Sequence, residues 1–253
     1  MIARAAPAER QLESLLGRTS PVTKLVIAVG WLIGLGTTTS IVPPLALATL
    51  AAASGVAFGR IRPGSVVRGI APLGAAAVSV GMFNALFAAA NVDPSSLEIA
   101  RVGPLRLTEA GLLGGAGLAA RIVAIAVVGV VFAQTTDSTR LVDALVQQAH
   151  APERFAYGAL AAYQAIPRFA EDLVTLRQAR RIRGLPSSWH PRLLLSLLVL
   201  AVRHGDRLAL AMDARGFGSR GPRSRYRLVR WSWRDAAVGT AGALILVGIL
   251  ALR

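Results

Sequence analysis

Apolar runs of bilayer-crossing length constrain this chain more than any other feature. A transmembrane helix needs roughly 20 mostly apolar residues, and five segments qualify or come close: 22–38, 40–59, 66–90, 109–133 and 235–252. The first has a short uninterrupted apolar core and resembles a signal peptide. Thr37-Thr38-Thr39-Ser40 offers no small-residue cleavage pattern, however, and Pro43-Pro44 suits a hairpin into the second segment, so it reads as a span. The expectation is an all-α integral membrane protein with about five transmembrane helices.

Charge then orients the spans. The net charge is +15, and Lys24 is the only lysine, so arginine carries nearly all of it. Beside such apolar runs, this surplus marks cytoplasmic loops and not a nucleic-acid surface. The first 24 residues hold Arg4, Arg10, Arg18 and Lys24 against Glu9 and Glu13, and the next inner loop holds Arg60, Arg62 and Arg68 without an acid. The first-to-second connection is uncharged, and the third-to-fourth balances Asp93 and Glu98 against Arg101 and Arg106. Residues 134–234 hold 17 arginines and 7 acids. Short basic loops stay in the cytoplasm, which places the N-terminus, the 60–68 loop and residues 134–234 inside and the C-terminus outside. The chain thus divides into residues 1–133 with four spans, an inner region at 134–234, and a last span at 235–253.

The inner region reads as long amphipathic helices lying along the membrane face. Ser138 is placed to cap a helix with Leu141, Val142, Leu145 and Val146 on its apolar side. A segment of some thirty residues follows from Pro152, with Pro167 expected to kink it and Gly184 with Pro186 to stop it. A third segment, 192–215, is apolar through residues 193–202 and charged from Arg203 onward; periodicity leaves open whether it dips into the bilayer. Gly221-Pro222-Arg223 and further arginines lead to Trp231 and Trp233, which mark the membrane–water boundary before the last span.

Two of these helices end alike, in Ala179-Arg180-Arg181-Ile182-Arg183-Gly184 and in Asp213-Ala214-Arg215-Gly216. A cation in the last turn opposes the helix dipole and a following glycine takes the left-handed cap, so one such end needs no partner. Two on one basic face suggest a grip on another protein, because the guanidinium fork holds carboxylates and carbonyls in fixed geometry.

Other chemistry finds little footing. The absence of cysteine excludes disulfides and thiolate sites. Lys24 follows no phosphate-loop pattern. His150, His190 and His204 stand singly, without ligand spacing, so neither a metal nor another cofactor is expected. Arg121 lies near the middle of the fourth span, where a charge faces a partner, a cavity or a backbone carbonyl. Gly111, Gly114, Gly115 and Gly117 allow close helix approach in the same span.

The ordered set of features resembles the T-component of energy-coupling factor transporters, the membrane scaffold of the cobalt-transport Q type. Pro21-Val22-Thr23-Lys24-Leu25, Thr135-Thr136, Ala165-Ile166-Pro167, the two arginine stops and Arg225-Tyr226-Arg227 carry the resemblance, which runs from about residue 18 to 250. It implies a non-catalytic subunit in a bacterial or archaeal cell membrane. Its partners would be two cytosolic ABC ATPases and a membrane substrate-binding subunit for a vitamin or metal ion. In that family Ala-Arg-Gly motifs dock into the ATPases. Ala214, Arg215 and Gly216 match in full, whereas Ile182, Arg183 and Gly184 depart at the first position. Two alternatives stand beside this: a membrane transferase holding a phosphorylated lipid-like substrate on the basic face, and a permease acting alone. The first lacks an acidic metal-binding cluster, and the second lacks polar residues converging at mid-depth.

Overall fold

The computed structural model describes residue 11 and residues 13–38, 40–91, 97–102, 105–185, 190–219 and 225–251. Pro186, the Gly221-Pro222-Arg223 stretch, Thr39, Asp93 and the N-terminal charges Arg4, Glu9 and Arg10 lie outside the described residues. Nine helices follow one another among those described: α1 Leu15–Arg18, α2 Pro21–Gly36, α3 Val42–Ala57, α4 Pro63–Leu86, α5 Glu109–Thr135, α6 Ser138–Gln148, α7 Glu153–Ile182, α8 Pro191–Ala214 and α9 Trp233–Leu250. A short 3-10 turn, Ala89–Asn91, and a two-stranded ribbon, β1 Glu98–Val102 and β2 Leu105–Thr108, join α4 to α5. The protein is an all-α membrane protein but for that ribbon. Among the described residues α4, α5 and α9 are long and apolar enough to cross a membrane, while α2 and α3 are shorter apolar helices.

The chain forms two compact units, residues 1–141 with 229–253, and residues 142–228. In the first, Trp31 and Leu35 of α2, Leu47 and Ala51 of α3, Ala124, Val127 and Val128 of α5 and Ile249 of α9 make the core. Large apolar side chains such as Val78, Met82, Phe83 and Leu244 point outward, as lipid-facing positions require. Small residues bring α4 and α5 together. A side chain on Gly81 would stand 2.8 Å from the Gly115 carbonyl, and one on Gly111 3.0 Å from the Ala85 carbonyl.

Helices α2 and α5 are pinned at two points. The Lys24 Nζ donates to the Thr135 carbonyl at 2.7 Å, filling an orphan acceptor at the C-terminal end of α5. Fourteen residues away on each helix, Arg121 Nη2 donates to the Thr38 carbonyl just past the end of α2. Helices of 16 residues extend about 24 Å, short of the roughly 30 Å of hydrocarbon. The tip of the α2–α3 hairpin therefore reaches only the middle of α5, and Arg121 supplies the donor that water would supply at a surface. Replacing Arg121 with leucine orphans that carbonyl and is expected to lower stability by about 1–3 kcal/mol. Thermal unfolding in detergent reads this, with Arg121→Lys retaining most of the stability; a leucine variant that melts higher would show the bond to be dispensable.

The ribbon is a finding that charge counting in the 91–108 connection did not anticipate. Ile99 alternating with its neighbours and Leu105 with Leu107 give the period-two pattern, and the strands pair antiparallel with Arg101 opposite Arg106. Buried Asn91 fastens its base. Its amide donates to the Ala85 and Leu86 carbonyls, and its oxygen accepts from the Thr108 hydroxyl at 2.7 Å and amide at 3.2 Å. Glu98 and Arg106 pair across the strands at 2.9 Å.

The start of α6 is a second departure. Asp137, not Ser138, caps it: the Asp137 carboxylate accepts from the Arg140 amide at 2.9 Å. A carboxylate at that position also meets the positive end of the helix dipole, which a hydroxyl does not. Pro72 in α4 and Pro167 in α7 sit inside unbroken helices.

Candidate functional site

The second unit is built on two long helices with little core. Ala165 is the buried residue of α7 and Leu193 that of α8. Phe155, Ile166, Leu195 and Val202 face outward. The helices meet where the Phe169 ring stands edge-on to His204, centroids 6.2 Å apart. From there α7 runs about 21 Å to Arg183 and α8 about 16 Å to Arg215, at 1.5 Å per residue.

Both helices stop by the same backbone device. At the end of α7, Gly184 takes φ +71°, its amide donates to the Arg181 carbonyl at 3.0 Å, and the Leu185 amide donates to the Arg180 carbonyl at 3.1 Å. At the end of α8, Gly216 takes φ +70°, its amide donates to the Asp213 carbonyl and the Phe217 amide to the Met212 carbonyl, each at 2.9 Å. This paired pattern defines a Schellman cap, and glycine is there because the left-handed conformation strains any other residue. Arg183 and Arg215 occupy the same position in the two caps, immediately before the glycine, and both are exposed. Ile182, where the other stop carries alanine, is 87% exposed; a side chain that size is there for a surface outside this unit or for none.

The second stop is braced by residues that sequence reading passed over. Arg154 Nη2, at the start of α7, donates to the Gly218 carbonyl at 2.9 Å. Gly218 has φ +80°, and a Cβ there would run into the Arg154 guanidinium. One turn further on, the Tyr157 ring stands edge-on to Phe217 at 6.3 Å. Its hydroxyl donates to Asp143 of α6 at 2.8 Å. Burial first, then the hydrogen bond to the Asp143 carboxylate, pushes the Tyr157 hydroxyl up to about 12, so it stays a donor at any physiological pH. The signal was present in the sequence: Asp143 interrupts the apolar stripe of α6 and is buried, and a buried carboxylate needs a donor. Gln147 also reaches out of α6, donating to the Arg227 carbonyl at 2.8 Å.

The remaining candidates have local roles. His190 caps α8, its Nδ1 accepting from the Arg192 amide at 3.1 Å, and His204 packs on Phe169. Arg121 and Lys24 belong to the other unit. Gly111 and Gly115 face α4, whereas Gly114 faces open space.

Comparison with known proteins adds to this geometry. A family model described as "Cobalt transport protein" matches residues 13–226. The chain belongs to that family. Among relatives, the energy-coupling factor transporter transmembrane protein EcfT of Listeria innocua is 28% identical over 59% of this chain and 62% of its own length. EcfT of Lacticaseibacillus paracasei is 30% identical with the same coverage. The chain therefore spans less than two thirds of these two family relatives. A protein of Bifidobacterium longum named as an ABC transporter ATP-binding protein is 27% identical over 94% of this chain, a match that makes up 32% of that longer protein.

Proposed function

We propose that this chain is the energy-coupling membrane scaffold of an energy-coupling factor type ABC importer. It grips two cytosolic ATPase subunits through Arg183 and Arg215, carries a separate membrane subunit that binds a vitamin or transition-metal ion, and converts ATPase closure into movement of that subunit. It catalyses nothing itself; ATP hydrolysis belongs to the partner chains.

The observation that carries the proposal is the identical capping of the two helices, which sets two exposed arginines in one backbone frame on the tips of α7 and α8. A helix end needs its glycine to stop; it does not need arginine at the same place twice. The Bifidobacterium relative supports an ATPase partner, because a stretch similar to nearly all of this chain lies there within a protein named for ATP binding. The proposal places residues 134–234 and the N-terminus in the cytoplasm, between four spans in residues 1–133 and the last at 235–253. Outward apolar residues of α7 and α8 then face lipid or the substrate-binding subunit. Ile182 fills a hydrophobic contact that alanine makes at the other stop.

A pull-down from gently solubilised membranes tests this. A tagged chain is expected to bring down ATPase subunits in fixed stoichiometry with a small hydrophobic protein. A chain that is recovered alone, and moves solute alone in vesicles, would end the proposal.

A further inference from the structure

Within the first unit, α1, α2, α3, α5 and α9 bound a groove of about 420 Å³, in the roughly 300–1,000 Å³ range of small-molecule sites. Ile27 and Trp31 of α2, Val131 of α5 and Ala241 of α9 give it apolar walls. One end is different. Lys24 and Arg234 line it there beside Trp233.

Lys24 is only 8% exposed and spends one of its three N–H groups on the Thr135 carbonyl. Arg140, whose guanidinium donates to the Gly17 carbonyl at 2.8 Å, adds a second fixed cation to this end of the unit. The acids here are Asp235, whose two oxygens accept from the backbone amides of Ser20 and Ser232, and Asp137, which accepts from the Arg140 amide. Both carboxylates are engaged, so Arg234 and the amine of Lys24 leave the end with basic groups in excess. Thr23 and Thr136, the chain neighbours of Lys24 and Thr135, each bury a hydroxyl oxygen with no protein partner among the described residues. The Arg234 guanidinium lies 5.9 Å from the Trp233 ring centroid, and an aromatic beside a basic residue sits at the headgroup level of a bilayer.

An apolar slot closed at one end by spare N–H donors and positive charge fits an amphiphile with an anionic head. We propose that the groove binds an anionic phospholipid, one acyl chain lying along Ile27, Trp31 and Ala241 and the phosphate meeting Lys24 and Arg234. Basic pockets between transmembrane helices recognise anionic lipids by this division of labour. Free phosphate leaves the apolar walls unused. A protein helix would have to bring an acid to a narrow end already holding two backbone contacts to Asp235. The lipid then adds to the direct contacts of α2 with α9, among them Gly242 packed on Ile27, Leu246 packed on Gly34, and the Trp31 indole donating to the Gly242 carbonyl at 2.9 Å.

The test uses the full chain, purified in a neutral detergent and titrated with phosphatidylglycerol or with phosphatidylcholine of the same acyl chains. Phosphatidylglycerol is expected to raise the melting temperature by about 5 °C more than phosphatidylcholine, the size of shift a saturating ligand gives a chain this long. Inorganic phosphate is expected to give none. Arg234→Gln removes an exposed guanidinium and Ala241→Phe fills the groove from its open side, so both leave the core intact; each should erase at least half of the difference. Native mass spectrometry of the delipidated and refilled protein should show one retained phosphatidylglycerol. Equal shifts from both lipids, a shift from phosphate alone, a phosphatidylglycerol shift unchanged in both variants, or a polypeptide held in the groove that lipid does not displace would each overturn the site. None of these readings involves an ATPase, so their failure leaves the proposed function where it stands.

Discussion

The double variant Arg183→Glu with Arg215→Glu is expected to come out of the membrane folded, in wild-type yield, and without its ATPase subunits. Truncating one desolvated, hydrogen-bonded charge at an interface costs about 2–5 kcal/mol. The two stops end separate helices with separate caps, and contributions of sites that share no partner add. Together they are worth at least about 4 kcal/mol, close to a thousandfold in affinity. Reversal to glutamate adds repulsion wherever the partner offers a carboxylate. The fold should survive because both caps are made by backbone amides and glycine, not by the arginine side chains. The helix dipole loses a favourable cation at each end, about 0.3–1 kcal/mol, which is too little to unfold a membrane-embedded chain. Arg181→Glu is the control: it is exposed, two residues from Arg183, and makes the same charge reversal at one neighbouring site. Co-purification that persists in the double variant, or that Arg181→Glu destroys equally, would detach the stops from docking.

What the sequence revealed and what it hid divide along a physical line. Features written in consecutive residues were legible. The helix ends at Arg183-Gly184 and Arg215-Gly216 follow from local cap chemistry, and the apolar runs gave the order of five apolar helices, three of which are long enough to cross a membrane. Features that need two distant residues to meet were not. Nothing in the fourth span tells Arg121 that its partner is the Thr38 carbonyl, because that depends on α2 ending at Gly36, short of a full crossing. The brace of Arg154 on Gly218 joins residues 64 positions apart, and no local pattern announces it. The cap at Asp137 was legible but misassigned. Two good capping residues stand side by side, and only the geometry of the turn after Thr136 selects between them.

The largest effect on folding is expected from adjacent glycines in α5 that composition treats alike. Gly114 and Gly115 stand side by side, yet a side chain on Gly114 meets nothing within 4 Å, whereas one on Gly115 runs into the Gly81 carbonyl and comes 3.0 Å from the Ala85 amide. The obstruction is backbone of α4, which has no rotamer to change. Gly111 and Gly115 are one turn apart, as are Gly81 and Ala85, so the two helices approach through a pair of small-residue rows. Forcing a side chain into that contact requires the helices to separate along much of their length. Overpacking costs about 1–3 kcal/mol where neighbours can yield, and here they cannot, so Gly115→Leu should exceed that range. Gly114→Leu should be neutral or mildly stabilising, because leucine favours helix over glycine by several tenths of a kcal/mol and gains lipid contact. Fluorescence-detected size exclusion of the two variants separates the outcomes: a sharp monodisperse peak for Gly114→Leu, and aggregate or no peak for Gly115→Leu. The fourth span would then be held to the third by backbone approach and not by side-chain burial, which explains how a helix with so few large inward residues stays fixed beside a hairpin that reaches only half its height.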